Sequence, residues 1–207
     1  FHIREYWIIS AGTFCRYGVY AAIQTLYAGP YLMNVMGLTP VQTGNILLGM
    51  NLGFICGGPI FGVLSDKWLY TRKWVVIPGL CGTALLLAVV SRLQPGVGVL
   101  WMTLIFIAIG VFNSSAGIMY THIKERVPMD KSGTAMTGIN FFTMIGPAIF
   151  LQASGIFMQH FYTDDSWSLP TFKSLLMMYS LCLAGVALLY ILTREARIQE
   201  DSTPPVV

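Results

Sequence analysis

The chain is 207 residues long, 55% of them hydrophobic and only 10% charged, with a formal net charge of +3 and a mean hydropathy of +0.66. Soluble domains carry about 25% charged residues, so this balance describes a membrane protein. A small net charge without a long run of bases excludes nucleic acid as a partner, and apolar runs that continue to the end of the chain exclude a lone secretory signal before a soluble body.

In chain order, apolar runs fall at Trp7 to Leu32, Gln42 to Leu64, Lys73 to Ser91, Val97 to Thr121, Ser132 to His160 and Thr171 to Thr193. Each supplies the about 20 helical residues that cross a hydrocarbon core. The alternating ten-residue pattern of a barrel is absent, so the expected fold class is an all-α membrane protein with six transmembrane helices. Between the second and third runs lies Gly62-Val63-Leu64-Ser65-Asp66-Lys67-Trp68-Leu69-Tyr70-Thr71-Arg72-Lys73, where an acid and three bases follow a helix-ending glycine. Such a segment sits where water and headgroups solvate it, as a tight cytoplasmic loop.

With that loop inside, the same side collects Arg4, Lys124, Arg126, Lys131, Arg194 and Arg197, while the opposite loops hold Arg92 and Lys173 beside Asp164 and Asp165. The excess of bases places both termini in the cytoplasm. Residues 1–193 then form one six-helix unit, and 194–207 a charged cytoplasmic tail whose Thr203-Pro204-Pro205-Val206-Val207 cannot continue a helix. The start at Phe1, immediately before a span, is what a piece of a longer polypeptide looks like.

The six spans differ in kind, and the differences recur every three. The first and fourth carry polar clusters, the second and fifth are glycine-rich, and the third and sixth are nearly featureless, as helices facing lipid all round would be. Gly49, Gly53 and Gly57 in the second span, with Gly58 and Gly62, form smooth stripes that allow close backbone approach. The fifth span, with Gly133, Gly138, Gly146-Pro147 and Gly155, is suited to bending or tight packing.

Arg16 lies some 13 Å into the first span at 1.5 Å per residue. At 100° per residue Thr13, Arg16, Tyr20, Gln24, Tyr27 and Tyr31 share an arc of roughly 80°. A buried arginine costs about 2.5–3.5 kcal/mol on the mild insertion scale, and no Asp or Glu lies within the six spans to pair with it. Its partner is an anion in a central cavity, a carboxylate from elsewhere in the protein, or backbone carbonyls; a purely structural tie between helices and snorkelling are the other two readings. Gly110, Asn113, Gly117 and Tyr120 share a face of the fourth span, and Thr137, Asn140 and Thr143 open the fifth. As a set they complete a polar cavity with the first span; singly, each is as well explained by an interhelical hydrogen bond.

Cys15, Cys56, Cys81 and Cys182 all lie in apolar runs without the paired spacing of metal or redox sites, and read as small core hydrophobes. His2, His122 and His160 stand at the ends of apolar runs, which suits interfacial packing. Neither a cofactor nor a metal is expected. No nucleotide-binding loop or catalytic constellation appears, so the chain is not read as an enzyme.

The segment Gly62-x-Leu64-x-Asp66-Lys67, followed by Arg72-Lys73, resembles the loop between the second and third helices of the major facilitator superfamily. The resemblance covers essentially the whole chain and implies one half of such a transporter, built as two inverted three-helix repeats. The loop departs from the family pattern, because Trp68-Leu69-Tyr70-Thr71 intervene and its later glycine is missing. A degenerate loop and a charged tail suit the C-terminal half. Gly146-Pro147 resembles the glycine-proline kink of the family's antiporters, although the surrounding glycines match it poorly.

The implied activity is secondary active transport, as a symporter or antiporter, of a small solute that Arg16 marks as anionic. Expected substrate contacts are Arg16, Tyr20, Gln24, Tyr27, Asn113, Tyr120 and Asn140. The expected gate is Gly62, Asp66, Lys67, Arg72 and Lys73: Asp66 near the start of the fifth helix at Ser132, and the bases against acids or lipid phosphates. The partners implied are a small-molecule substrate, the bilayer of the cell's inner membrane and a second six-helix half of the same polypeptide. A receptor or scaffold with this fold, and a self-contained half working as a homodimer, are the alternatives.

Overall fold

A computed structural model describes residues 4–161 and 168–194, and among them there are helices and no β-strand. His2, Asp164, Asp165, Arg197 and the proline-containing tail fall outside the described residues.

The first helix, α1 (Arg4–Ala22), continues through two π-helical turns, Ile23–Tyr27 and Tyr31–Val35, with Ala28–Pro30 between them. Pro30 has no N–H to give the carbonyl one turn back, which favours a local change of winding. The second helix, α2 (Pro40–Val63), starts where Pro40 follows Thr39, whose hydroxyl accepts from the Gln42 amide at 3.2 Å while the Gln42 side chain accepts from Thr39 N–H at 3.0 Å. It ends in the π-turn Leu64–Trp68. Then follow α3 (Lys73–Arg92), α4 (Val99–Asn113), α5 (Ala116–Arg126), α6 (Ser132–Phe161) and α7 (Leu169–Ile191). The α4 and α5 helices are two parts of one rod, interrupted at Ser114-Ser115.

Five stretches, at 40–68, 73–92, 99–126, 129–160 and 169–191, are long and apolar enough to cross a membrane. The most polar run, the one in α1, is helical but is not among those five. The fourth run continues as helix to Arg126 instead of ending near Thr121, which puts His122, Lys124 and Arg126 on the rod.

Three helix pairs build the molecule: α1 on α6, α2 on α4, and α3 on α7. Two of these contacts are crossings at glycine. A Cβ on Gly53 would strike the Ile107 carbonyl, and one on Gly110 would strike the Met50 carbonyl, so α2 and α4 meet backbone to backbone. Likewise a Cβ on Gly146 would strike the Phe14 carbonyl, and one on Gly18 the Phe150 ring, at the α1–α6 crossing. Of the glycines read as stripes from the sequence, Gly53, Gly57 and Gly146 thus meet carbonyl oxygens, which only a missing side chain permits, whereas Gly58, Gly62 and Gly133 face open space.

The sequence expectation that the third and sixth spans face lipid all round is corrected. Half of the apolar stretch of α3 and 44% of that of α7 are buried, against 28% for α2 and 22% for the α6 rod. Val76, Leu80 and Leu87 of α3 pack with Leu175, Tyr179 and Leu183 of α7 in the core. Apolar composition all round reported how oily these helices are, not which side meets protein. The cysteines are also corrected: Cys56 and Cys81 are exposed and Cys15 and Cys182 half-buried, so none is a fully buried core residue.

Candidate functional site

Arg16 is 1% exposed and reaches the break between α4 and α5. Its Nε donates to Asn113 Oδ1 at 3.2 Å, and one terminal nitrogen donates to the Phe112 carbonyl at 2.5 Å and to Ser115 Oγ at 2.7 Å. The break has a local cause. Ser114 Oγ donates back to Val111 O at 2.6 Å and Ser115 Oγ to Phe112 O at 3.0 Å, competing with the helix ladder for the same carbonyls. Gly79 of α3 lies against the break, since a Cβ there would strike Ser115 Oγ. Of the partners open to Arg16, backbone carbonyl and neutral side chains are therefore present. Among the described residues its other terminal nitrogen, Asn113 Nδ2 and the Tyr20 hydroxyl are buried without a hydrogen-bond partner.

The remaining polar residues of α1 do not run as one straight stripe. Tyr20 stacks on Phe54 of α2 with ring centroids 5.4 Å apart, and Gln24 Nε2 donates to Asn51 Oδ1 of the same helix at 2.6 Å. Tyr27 turns to α6, donating to Leu151 O at 3.3 Å, while Tyr31 donates to Val90 O of α3 at 3.1 Å. Thr13 donates to Ser10 O on its own helix. The π-turns at Ile23–Tyr27 and Tyr31–Val35 explain the fan, because each wider turn rotates the residues after it away from the 100° register.

A second group forms around α5 and α6. Tyr120 OH lies 2.6 Å from Thr143 Oγ1 and donates to exposed Asn140 Oδ1 at 3.5 Å, with the Tyr17 ring edge-on 6.4 Å away. The break separates Asn113 from Tyr120, which were expected on one face of a single helix. Asn113 joins Arg16, and Tyr120 joins Thr143 and Asn140. Thr137 donates to Gly133 O within α6.

The charged segment centres on Arg72, which is buried. Its Nε donates to both Glu125 carboxylate oxygens at 3.2 and 3.1 Å, one terminal nitrogen donates to Glu125 Oε1 at 2.7 Å, and the other donates to Ser65 Oγ at 2.8 Å and to Asp66. Burial works against the guanidinium charge, but the hydrogen bonds and charges of Glu125 and Asp66 outweigh it and hold Arg72 above its ordinary value. The expected bases-against-acids arrangement is thus partly redrawn. Asp66 bonds to Arg72 six residues on, instead of standing free for the start of α6. Lys73 Nζ donates to the Ile191 and Thr193 carbonyls at the end of α7, at 2.5 and 2.9 Å, rather than to an acid. Gly62 has open space at its Cβ position, and Lys67 is exposed.

His122 is fully buried, a correction to its expected interfacial place. Since a carbonyl only accepts, Nε2–H donates to Arg194 O at 3.1 Å, and Nδ1 of the neutral ring accepts from Tyr190 OH at 2.7 Å. Nearby Glu5 of α1 pairs with Arg126 at 3.7 Å and Arg194 at 3.8 Å. His160, near the end of α6, is exposed.

Sequence reasoning missed Ser114, Ser115, Asn51, Gly79 and Glu125. Two adjacent serines within an apolar run and an asparagine inside the glycine stripe were visible signals. Glu125, in Lys124-Glu125-Arg126, looked like ordinary solvated charge.

Residues 9–205 match the profile of the Major Facilitator Superfamily. Over 114 residues the chain is 32% identical to a protein named probable nitrate/nitrite transporter NarK2 of Mycobacterium tuberculosis, a stretch that is 55% of this chain and 28% of that protein. Over 94 residues it is 28% identical to the MFS-type transporter SLC18B1 of Mus musculus, covering 44% of this chain and 20% of that protein. The matched stretches therefore span less than a third of either relative. With several apolar membrane-length helices and a family match over nearly its whole length, the chain is an integral, multi-pass membrane protein and belongs to the Major Facilitator Superfamily.

Proposed function

We propose that this chain is one six-helix half of a secondary active transporter, arranged as two inverted three-helix repeats with both ends on the cytoplasmic side. The matched glycine crossings carry this reading. Exchanging α1 with α4 and α2 with α6 turns the Gly18–Gly146 crossing into the Gly110–Gly53 crossing, while the α3–α7 pair maps onto itself. Such an exchange is the signature of inverted repeats. The low burial of α2 and of the α6 rod, with Leu52, Ile55, Phe141 and Met144 exposed, supports their lying against a second half of the protein. Alternating access then follows from rocking one half on the other, with Gly62, Asp66, Lys67, Arg72 and Lys73 as the cytoplasmic gate.

The solute is a small anion. The unpaired terminal nitrogen of Arg16, beside the unpaired amide of Asn113, supports this, as does the likeness to a probable nitrate/nitrite transporter. Tyr20, Gln24, Tyr27, Tyr120 and Asn140 complete the contacts along the path. The test is uptake of labelled nitrate, nitrite and small carboxylates into sealed vesicles holding the intact protein. Arg16→Gln should abolish uptake of the favoured anion and Arg16→Lys should retain part of it, because a point charge replaces a fork. Unchanged uptake of every anion by Arg16→Gln removes the anionic reading. Ligand binding without movement of any solute replaces the transporter with a receptor.

A further inference from the structure

We infer that the groove between α3 and α7, at the end of the molecule away from the Asp66–Lys73 segment, binds an anionic phospholipid. The groove has a volume of about 700 Å³ and is lined by Ser91 and Arg92 of α3 and by Lys173, Ser174, Met177 and Leu181 of α7. Its geometry follows from where the two antiparallel helices touch. Ser180 Oγ donates to Ala84 O at 2.7 Å, which closes the contact deep in the pair. Arg92 lies eight residues beyond Ala84 and Lys173 seven residues before Ser180, so at 1.5 Å per residue both bases stand about 11 Å above that contact.

Two cations therefore stand at a common depth at the mouth, and the wall beneath them is apolar. Within the described residues neither base takes part in an ion pair; those belong to Arg72, Arg126 and Arg194. An anion between Arg92 and Lys173 relieves their mutual repulsion. Below the mouth, the groove opens onto the outer face of the pair, where Leu85 of α3 and Leu181 of α7 are 66% and 65% exposed. A soluble anion has no use for that surface. A phosphate carried on acyl chains satisfies both ends at once, its head on the two bases and its chains along Met177, Leu181 and Leu85. With Arg92 and Lys173 both in the lining, the mouth carries positive charge, which makes an anionic headgroup, as in phosphatidylglycerol, a better fit than a zwitterionic choline.

The experiment is native mass spectrometry of the intact detergent-purified protein, equilibrated with equal amounts of phosphatidylglycerol and phosphatidylcholine. The unmodified protein should retain phosphatidylglycerol preferentially. Arg92→Gln with Lys173→Gln should cut that preference by about fivefold per base, roughly twenty-five-fold together. Arg92→Lys should keep it. Leu181→Trp, which fills the apolar wall and leaves both charges, should lower retention of lipid of either kind. All three variant positions are at the rim or the outer face, and an unchanged melting temperature verifies that each protein is folded. A preference absent from the unmodified protein, or surviving loss of both bases, overturns the proposal. Undiminished retention in Leu181→Trp overturns the placement of the chains in the groove.

Discussion

Gly110→Ala tests the α2–α4 crossing most directly. The added methyl group would strike the Met50 carbonyl and stand 2.9 Å from the Phe54 amide nitrogen. Both are backbone atoms of α2 and cannot rotate aside, so the helices themselves must separate. Overpacking costs about 1–3 kcal/mol, and a rigid backbone obstacle puts this site near the upper end. Alanine in place of a helical glycine returns about 1 kcal/mol. The net expectation is a loss of about 2 kcal/mol, or roughly 4–8 °C in melting temperature for a chain of this size. The comparison variant is Gly58→Ala, on the same α2 helix, where the Cβ meets open space. It should gain up to about 1 kcal/mol from helix preference alone. Melting of the purified protein, followed by the fluorescence of its tryptophans, measures both. Equal melting temperatures for Gly110→Ala and Gly58→Ala would refute the claim that α2 and α4 touch through backbone at Gly110.

Three other expectations follow from the same contacts. Gly62→Ala meets open space and should leave the melting temperature unchanged or raised, so a loss of transport in this variant would report gating and not folding. Glu125→Gln removes the charge facing the buried Arg72 fork; breaking such a pair costs about 3–5 kcal/mol when fully buried, and with the Glu125 side chain 29% exposed the expected loss is about 2 kcal/mol. Adding Arg72→Met to Glu125→Gln should recover part of that loss in a double-mutant cycle, and strictly additive losses would show that the pair is not coupled. Tyr190→Phe leaves the buried His122 Nδ1 without its hydrogen, which should lower stability by about 1–3 kcal/mol, whereas Tyr70→Phe on the exposed loop should do nothing measurable.

The Arg16 environment shows how composition and tertiary structure divide the labour. A lone arginine at mid-span without an acid in any apolar run demands unusual neighbours, and that demand was visible in the sequence. The neighbours were not. They arise 96 to 99 residues later, where Ser114-Ser115 interrupts a rod and the Phe112 carbonyl accepts from both the Ser115 hydroxyl and a guanidinium on another helix. The polar stripe of α1 failed for a related reason. A projection at 100° per residue assumes uniform winding, and the π-turns around Pro30 break that assumption, sending Tyr27 to α6 and Tyr31 to α3.

The sequence by itself determined the helices, the break in charge after Gly62 and the family resemblance of that loop. Those properties are local: hydrocarbon length, proline, glycine and the position of charges are all read within one segment. Tertiary structure alone decided which faces meet. That Gly53 opposes Ile107 and Gly18 opposes Phe150, that Arg72 chooses Glu125, and that Lys73 caps the end of α7 all depend on helix rotation and crossing depth. Apolar helices leave rotation nearly undetermined in the sequence, because lipid and protein accept the same side chains. Backbone contact at glycine, and the few hydrogen bonds that oil cannot replace, set it.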